Sequence, residues 1–152
     1  MATPNSEETL THRLVLPRDA NHHGKLYAGV LVSLALEAAY ATAFRAVGLS
    51  ANLVLKRVLD LRCFEPVAIG RVVEIRGREV HRARAHVVVA LWGTPLSERG
   101  GPWMDALMQF VQVDEAGHPR PFDAEPDDEP PALGAPWEAL RKRGLRLMSV
   151  RS

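Results

Sequence analysis

Residues 26–44, LYAGVLVSLALEAAYATAF, form the longest apolar run of the chain. Leucine and alanine dominate the run and are strong helix formers, so it predicts a helix, which Gly48 can cap at its C-terminus. The run nearly reaches the ~20 residues that a membrane span needs, but Glu37 lies in its middle, and an ionised carboxylate in lipid is costly. Because no narrow polar stripe divides the run, we expect a helix that is buried nearly all round inside a soluble domain.

The composition excludes several classes of protein. The chain has 152 residues, enough for one domain, and 47% of them are hydrophobic, which excludes a disordered or collagen-like chain. A single cysteine, Cys63, excludes a disulfide scaffold. The net charge of +1 gives no general attraction to nucleic acid or acidic lipid, and residues 1–8 are polar and acidic, unlike a secretory signal. We therefore expect a cytoplasmic protein with no nucleic-acid or membrane partner.

The sequence after the helix changes to strand-forming residues separated by turns. Residues 65–70 and 93–102 carry the glycines and prolines of turns, and His81-Arg82 predicts a short turn or a bulge. The predicted strands are His12–Leu16 before the helix, and Leu53–Phe64, Arg71–Val80, Ala83–Trp92 and Trp103–Val113 after it.

This order of elements predicts an α+β fold in which one long helix packs against a curled antiparallel sheet. We expect a flexible N-terminus over residues 1–10 and the folded domain over 11–122. Residues 123–136 are acidic and rich in proline, which predicts a solvated linker. The basic C-terminal segment, residues 137–152, could form a short helix.

Three segments together resemble a known family. Residues 16–29, LPRDANHHGKLYAG, resemble the P-x-D-x-N-x-x-G-x-x-F-G-G pattern of the hotdog-fold acyl-CoA thioesterases, with the acyl-CoA hydrolase branch most similar. Residues 64–70, FEPVAIG, resemble the F-x-x-P-V-x-x-G turn of that superfamily, and residues 110–119, FVQVDEAGHP, resemble its last strand and turn. The resemblance implies a hotdog fold that forms a homodimer or a dimer of dimers. It also implies a site between subunits that hydrolyses acyl-CoA to a free acid and coenzyme A, with no further cofactor.

Glu37 is the candidate catalytic residue. A carboxylate desolvated in an apolar helix can serve as a general base that activates water, or it can attack the thioester directly. The alternative is a buried structural acid that is paired with an arginine of the sheet or of a partner chain. In the family the acid follows the second glycine by seven residues, whereas Glu37 follows Gly29 by eight and Leu36 holds the seventh position. Either the loop from His22 to Gly29 contains one extra residue and Glu37 is in register, which we favour, or the acid points elsewhere.

Backbone and amide groups near the helix start complete the predicted catalytic site. The N–H of Gly29 or Val30 could polarise the thioester carbonyl, since unpaired amides and the helix dipole favour a developing negative charge. Asn21 matches the asparagine of the family motif, which positions water or substrate, often from the opposite subunit. The alternative for Asn21 is a turn residue that hydrogen-bonds its own backbone.

Histidines and arginines supply the remaining candidates. His22 and His23 are adjacent, and the other histidines show no ligand spacing, so we predict no metal site; His23 could hydrogen-bond the substrate or lie in a solvated loop. Arg82 and Arg84, two residues apart on one strand face, could bind the phosphates of coenzyme A or belong to an exposed basic face. The arginines have no interleaved aromatic residues, which disfavours nucleic acid as their ligand.

The remaining residues of interest have structural interpretations. Cys63 lies inside a predicted strand with no motif around it, so we expect it to be buried packing. Met104, Met108 and Phe110 alternate on one strand face, as either core or the lining of an acyl tunnel.

The sequence therefore predicts an acyl-CoA thioesterase, with two rivals. One rival is a hotdog protein that binds acyl-CoA as a sensor without catalysis, which the offset of the acid favours. The other is a hotdog enoyl-CoA hydratase or dehydratase, which would combine His22 or His23 with Glu37.

Overall fold

The computed structural model describes residues 8–123 and 132–150. It contains five strands, two helices and a single turn of 3-10 helix over Pro17–Asp19. In chain order the elements are β1 (Thr9–Leu14), α1 (Ala28–Val47), β2 (Leu53–Cys63), β3 (Val72–Arg82), β4 (His86–Gly93), β5 (Met104–Gln112) and α2 (Trp137–Ser149).

The five strands form one antiparallel sheet in the order β1-β3-β4-β5-β2, so β1 and β2 are its edges. The pairing of β2 with β5 shifts register twice, between Leu55 and Arg57 and between Val58 and Asp60. The pairing of β3 with β4 shifts once, between Glu79 and His81. Such irregularities bend a strand and increase its twist, which helps the sheet curve around a helix.

Helix α1 packs on the inner face of the sheet through small residues. Its buried side chains are Leu31, Leu34, Ala35, Ala38, Ala39, Thr42 and Ala43. Gly77 of β3 lies under Thr42 and Thr9, and a Cβ at Gly77 would collide with both hydroxyl oxygens. Alanine on the helix and glycine on the sheet therefore allow a close approach of the two backbones. The expected α+β fold, a long helix against an antiparallel sheet, is confirmed.

The expectation that this helix is buried nearly all round is wrong. Gly29, Ser33, Glu37, Ala41 and Arg45, spaced four residues apart, form an exposed stripe along α1. The single sheet packs against only the opposite side of the helix, so this stripe stays exposed in the single chain. By length and a mean hydropathy of 1.5 the helix could span a membrane, but here it lies against the sheet.

The strand boundaries differ most from the prediction at the start of β1 and between β3 and β4. Thr9 and Leu10, predicted to be flexible, belong to β1 and pair with β3, whereas residues 1–7 lie outside the described part of the chain. His81 and Arg82 remain in β3 just past its bulge, and the turn to β4 falls at residues 83–85 instead. The predicted linker falls largely on residues 124–131, outside the described residues.

Cys63 is exposed, so the expectation of a buried residue is wrong. It is the last residue of edge strand β2, where its thiol hydrogen-bonds the carbonyl oxygen of Glu65 at 3.5 Å. Cys63 is exposed because β2 is an edge strand, and the local sequence does not specify which strand lies at the edge.

Helix α2 covers the outer face of the sheet. Trp137 and Leu140 are buried there against Val88 of β4 and Leu107 of β5. The burial of both faces explains why Val87–Leu91 is an unbroken apolar run, since a strand covered on both sides needs apolar residues at every position.

Two charged clusters lie beneath α2 and join it to the sheet. Asp105 of β5, 4% exposed, accepts hydrogen bonds from Arg62 of β2 (2.8 and 3.0 Å) and Arg143 of α2 (3.0 and 3.4 Å). Burial alone would raise the pKa of Asp105, but the two guanidinium groups hold that pKa below its ordinary value.

The second cluster surrounds Arg76 of β3. Its guanidinium lies between the rings of Trp92 and Trp137, with 5.4 and 5.6 Å to the ring centroids, and forms two hydrogen bonds to Glu8. Trp137 also donates its indole N–H to Glu8 at 2.7 Å. The first described residue of the chain is thereby tied to the last helix.

We expect Asp105→Asn to lower the free energy of unfolding by about 2 kcal/mol, because two arginines lose the charge that offsets them. The folded-state pKa of Asp105 is depressed, so its stabilisation is complete above the unfolded-state value of about 3.9 and is lost as pH falls through the folded-state value. Urea unfolding at neutral pH should therefore separate the variant from the native chain, and the gap should narrow below about pH 4. Glu98→Gln, at an exposed loop position, is the control and should leave stability unchanged at neutral pH.

Candidate active site

A cleft of about 390 Å³ opens between the first half of α1 and the end of β1. Both charged and apolar side chains contribute to its walls. The lining residues are Arg13, Asp19, Tyr27, Gly29, Val30, Ser33, Leu34 and Glu37.

Hydrogen bonds of the loop before α1 fix where the helix begins. The buried Asp19 side chain accepts the Leu16 N–H at 2.9 Å, and the Asp19 carbonyl oxygen accepts the Tyr27 N–H at 2.8 Å. Leu26 donates its N–H to Val67 at 2.8 Å, which attaches the loop to the 65–70 turn. The resemblance motifs at residues 16–29 and 64–70 are thus one contiguous structural unit at the helix N-terminus.

Asn21 organises this loop. Its side-chain oxygen accepts the N–H groups of His23 (2.9 Å) and Lys25 (3.1 Å). This is the turn arrangement considered as an alternative for Asn21. The side-chain NH₂ makes no hydrogen bond within the described residues, so one polar group of Asn21 remains available for a ligand.

The first turn of α1 presents unused N–H groups to the cleft. The first helical bond runs from the N–H of Leu31 to the carbonyl oxygen of Tyr27, and no side chain caps the helix. The N–H groups of Gly29 and Val30 have no acceptor within the described residues, and the positive end of the helix dipole lies at the same place. The ring of Tyr27 lies over Gly29, since a Cβ there would sit 2.6 Å from the ring.

Glu37 lies in the cleft two turns after Gly29, on the exposed stripe of α1. The expectation of a desolvated, buried carboxylate is wrong for the single chain, because this side of α1 faces away from the sheet. No ion pair or hydrogen bond engages Glu37 within residues 8–123 and 132–150, so no arginine of the sheet in this part of the chain pairs with it.

Leu36 and Glu37, the two positions that the one-residue offset concerns, lie on different sides of α1. Glu37 shares the cleft with Gly29 and Ser33, whereas Leu36 packs against the core cluster. Leu36 is one turn before Tyr40, whose hydroxyl bonds the Leu53 carbonyl of β2 at 3.4 Å. Glu37 is therefore the acid on the β1 side of the helix, and Leu36 lies on the β2 side.

Arg13 is a cleft residue that sequence reasoning missed. Its guanidinium donates to the Asp19 carboxylate at 2.8 Å. The backbone N–H of Leu16 and the Arg13 guanidinium together lower the pKa of Asp19 from its ordinary value, so this carboxylate stays ionised. The alternation of side chains along β1 could have placed Arg13 on the inner face with Thr9 and Thr11. The alternation could not indicate which loop residue forms an ion pair with Arg13.

The remaining predicted ligands lie elsewhere. His22 and His23 are exposed, with ring centroids 3.9 Å apart, and neither lines the cleft. Within the described residues, no three His, Cys, Asp or Glu side chains are grouped to hold a metal ion.

Arg82 and Arg84 are at the opposite end of the molecule. Arg82 donates to Glu79 at 2.6 Å and to the Ala46 carbonyl oxygen, in the last turn of α1, at 2.8 Å. Gly29 and Ala46 are separated by about 26 Å of helix, so the chain does not bring Arg82 to its own cleft. Arg84 follows the end of β3, and the idea that it shares a strand face with Arg82 is wrong.

Met104, Met108 and Phe110 are fully buried against α1. The rings of Phe110 and Tyr40 pack edge to face, with 4.7 Å between ring centroids. Of the two interpretations of this strand face, core applies within the single chain.

Comparisons of the sequence with protein families and with curated proteins find no match. Comparison of the structure finds a hexameric acyl-CoA thioesterase, with a TM-score of 0.75 and 23% identity over 93% of this chain and 88% of the other. An acyl-CoA hydrolase from Staphylococcus aureus, solved with butyryl coenzyme A, coenzyme A and coenzyme A disulfide, gives a TM-score of 0.69 and 19% identity over 94% and 88%. A hexameric hotdog-fold thioesterase from Campylobacter jejuni gives a TM-score of 0.62 and 22% identity, over 74% of this chain and 88% of the other. The chain therefore has the hotdog fold.

We expect Asn21→Ala to speed amide hydrogen exchange at His23 and Lys25, because both N–H groups lose their acceptor. The change should lower the free energy of unfolding by about 1 kcal/mol, since water replaces part of each bond in this half-exposed loop. Asn52→Ala, at an exposed position, is the control and should leave both exchange rates unaltered. Unchanged exchange in Asn21→Ala would contradict the role of Asn21 in this loop.

Proposed function

We propose that this protein hydrolyses acyl-CoA thioesters and that Glu37 activates the attacking water. One observation supports this function above the others: an unpaired carboxylate shares a cleft with the unused N–H groups of a helix N-terminus. A base and an oxyanion-binding group are the two requirements of thioester hydrolysis. The names of the structural neighbours, which are acyl-CoA thioesterases and hydrolases, support the same class of reaction.

In the proposed reaction the Glu37 carboxylate removes a proton from water as the water oxygen attacks the thioester carbon. The carbonyl oxygen becomes an oxyanion that the N–H of Gly29 or Val30 stabilises. The tetrahedral species then collapses, the carbon–sulfur bond breaks, and the proton held by Glu37 passes to the departing sulfur. The products are a free acid and coenzyme A, and Glu37 returns to its starting state without a further cofactor or metal.

Subunit pairing is the second part of the proposal. The edge strand β2 leaves Val54 and Val58 exposed, which is apolar surface for a second copy. We infer a homodimer or a dimer of dimers that covers this surface. In that assembly Asn21, His23, Arg82 and Arg84 would contact substrate or coenzyme A from either subunit.

One observation favours a second candidate, a sensor that binds acyl-CoA without hydrolysing it. Glu37 is exposed in the single chain, whereas catalysis by such a group gains most where bulk water is excluded from the site. The hydratase alternative has no such support, because neither His22 nor His23 lines the cleft with Glu37.

Glu37→Gln should lower kcat for acyl-CoA hydrolysis about a hundredfold or more, because the amide keeps the shape of the side chain but cannot take a proton. Release of free thiol from butyryl coenzyme A measures the rate. Glu115→Gln, in an exposed turn, is the matched control and should keep the native rate. Near-native turnover in Glu37→Gln would exclude Glu37 as the base, and binding without turnover in the native chain would establish the sensor.

Val58→Asp should convert the assembly to monomers, because a charge on the exposed inner face of β2 would be buried by the partner. Sedimentation velocity measures the result. Leu49→Asp, in the exposed turn after α1, should sediment like the native chain. A native chain that sediments as a monomer, or a Val58→Asp variant that stays assembled, would contradict pairing along β2.

A further inference from the structure

The cleft contains a cation whose position is fixed by the fold. Arg13 donates one N–H to Asp19, and both Asp19 oxygens are occupied, one by Arg13 and the other by the Leu16 N–H. Asp19 is 3% exposed, so the guanidinium is anchored to a buried carboxylate. Asp19 therefore uses one oxygen to position Arg13 and the other to hold the backbone of the loop.

Most of the hydrogen-bonding capacity of Arg13 is unused. A guanidinium carries five N–H donors, and within the described residues Arg13 makes only the bond to Asp19. Its side chain is 36% exposed and lines the cleft. A planar, anchored guanidinium with free donors is suited to bind a carboxylate or a phosphate through two parallel bonds.

The phosphates of coenzyme A are a poor match for that anion if the thioester lies beside Glu37. Arg13 and Glu37 line the same cleft of about 390 Å³, whereas the pantetheine arm holds the phosphates many bonds away from the sulfur. We therefore take an anion at Arg13 to belong to the acyl side of the substrate.

The walls of the cleft also disfavour a long hydrocarbon chain. Arg13, Ser33 and Glu37 would lose water to an apolar tail without gaining hydrogen bonds. The core residues Met104, Met108 and Phe110 are fully buried and do not line this cleft.

We propose that the cleft selects acyl groups that end in a carboxylate, and that Arg13 is the residue that binds this carboxylate. This inference rests on the proposed thioesterase function. It assigns to the substrate a short diacid monothioester, with the thioester between Gly29 and Glu37 and the far carboxylate on Arg13.

The test compares two substrates of the same shape. Glutaryl-CoA ends in a carboxylate, and isoheptanoyl-CoA carries an isopropyl group in its place. We expect the native chain to favour glutaryl-CoA by about tenfold or more in kcat/KM, since hydrogen bonds between charged groups are strong. In Arg13→Gln this ratio should fall to about one.

Two further variants separate recognition from folding. Arg13→Lys keeps the charge and the ion pair with Asp19 but removes the planar fork, so its ratio should lie between those of the native chain and Arg13→Gln. Arg18→Gln removes a neighbouring exposed charge and should keep the native ratio. A native ratio near one, or an Arg13→Gln ratio equal to the native ratio, would overturn the proposal.

Failure of the proposed function gives a different result. If neither thioester is hydrolysed, calorimetric titration of both into the native chain and Arg13→Gln still measures the selection. Tighter binding of glutaryl-CoA that depends on Arg13 would support the inference without thioesterase activity. Equal binding of both thioesters would overturn it.

Discussion

The close approach of α1 to the inner face of the sheet is the contact on which the rest of the structure depends. Four alanines of α1 are buried, and the sheet presents Gly77 where Thr9 and Thr42 meet. Larger residues would lift the helix and open the core. The same contact determines which side of α1 is left uncovered, and the candidate base and the first-turn amides lie on that side.

The broad architecture could be predicted from the sequence because its signals are local. Leucine and alanine between residues 26 and 44 indicate the helix, and Gly48 ends it with its N–H bonded to the Phe44 carbonyl oxygen. Turn residues delimited the later strands to within a few positions. The boundary errors at Thr9 and at residues 83–85 arose where pairing with β3 and a bulge, both non-local, decided the structure.

The site was less predictable, since it depends on contacts between distant segments. Glu37, Gly29 and Val30 were named from the helix, and the structure brings them into one cleft. Arg13 was missed because its position in the cleft depends on its ion pair with Asp19. The loop after β1 brings Asp19 back toward that strand. Exposure of Glu37 and Cys63 could not be deduced either, because local sequence does not specify which side of a helix or which edge of a sheet remains uncovered.

Helix α2 has a consequence for how copies of this chain can associate. Trp137 and Leu140 pack on one side of the sheet and α1 on the other, so a copy that stacked its sheet over β4 and β5 would meet a helix on either side. Copies that associated through strand edges would leave both helices in place. The C-terminal helix would thus narrow the ways in which two sheets of this chain can meet.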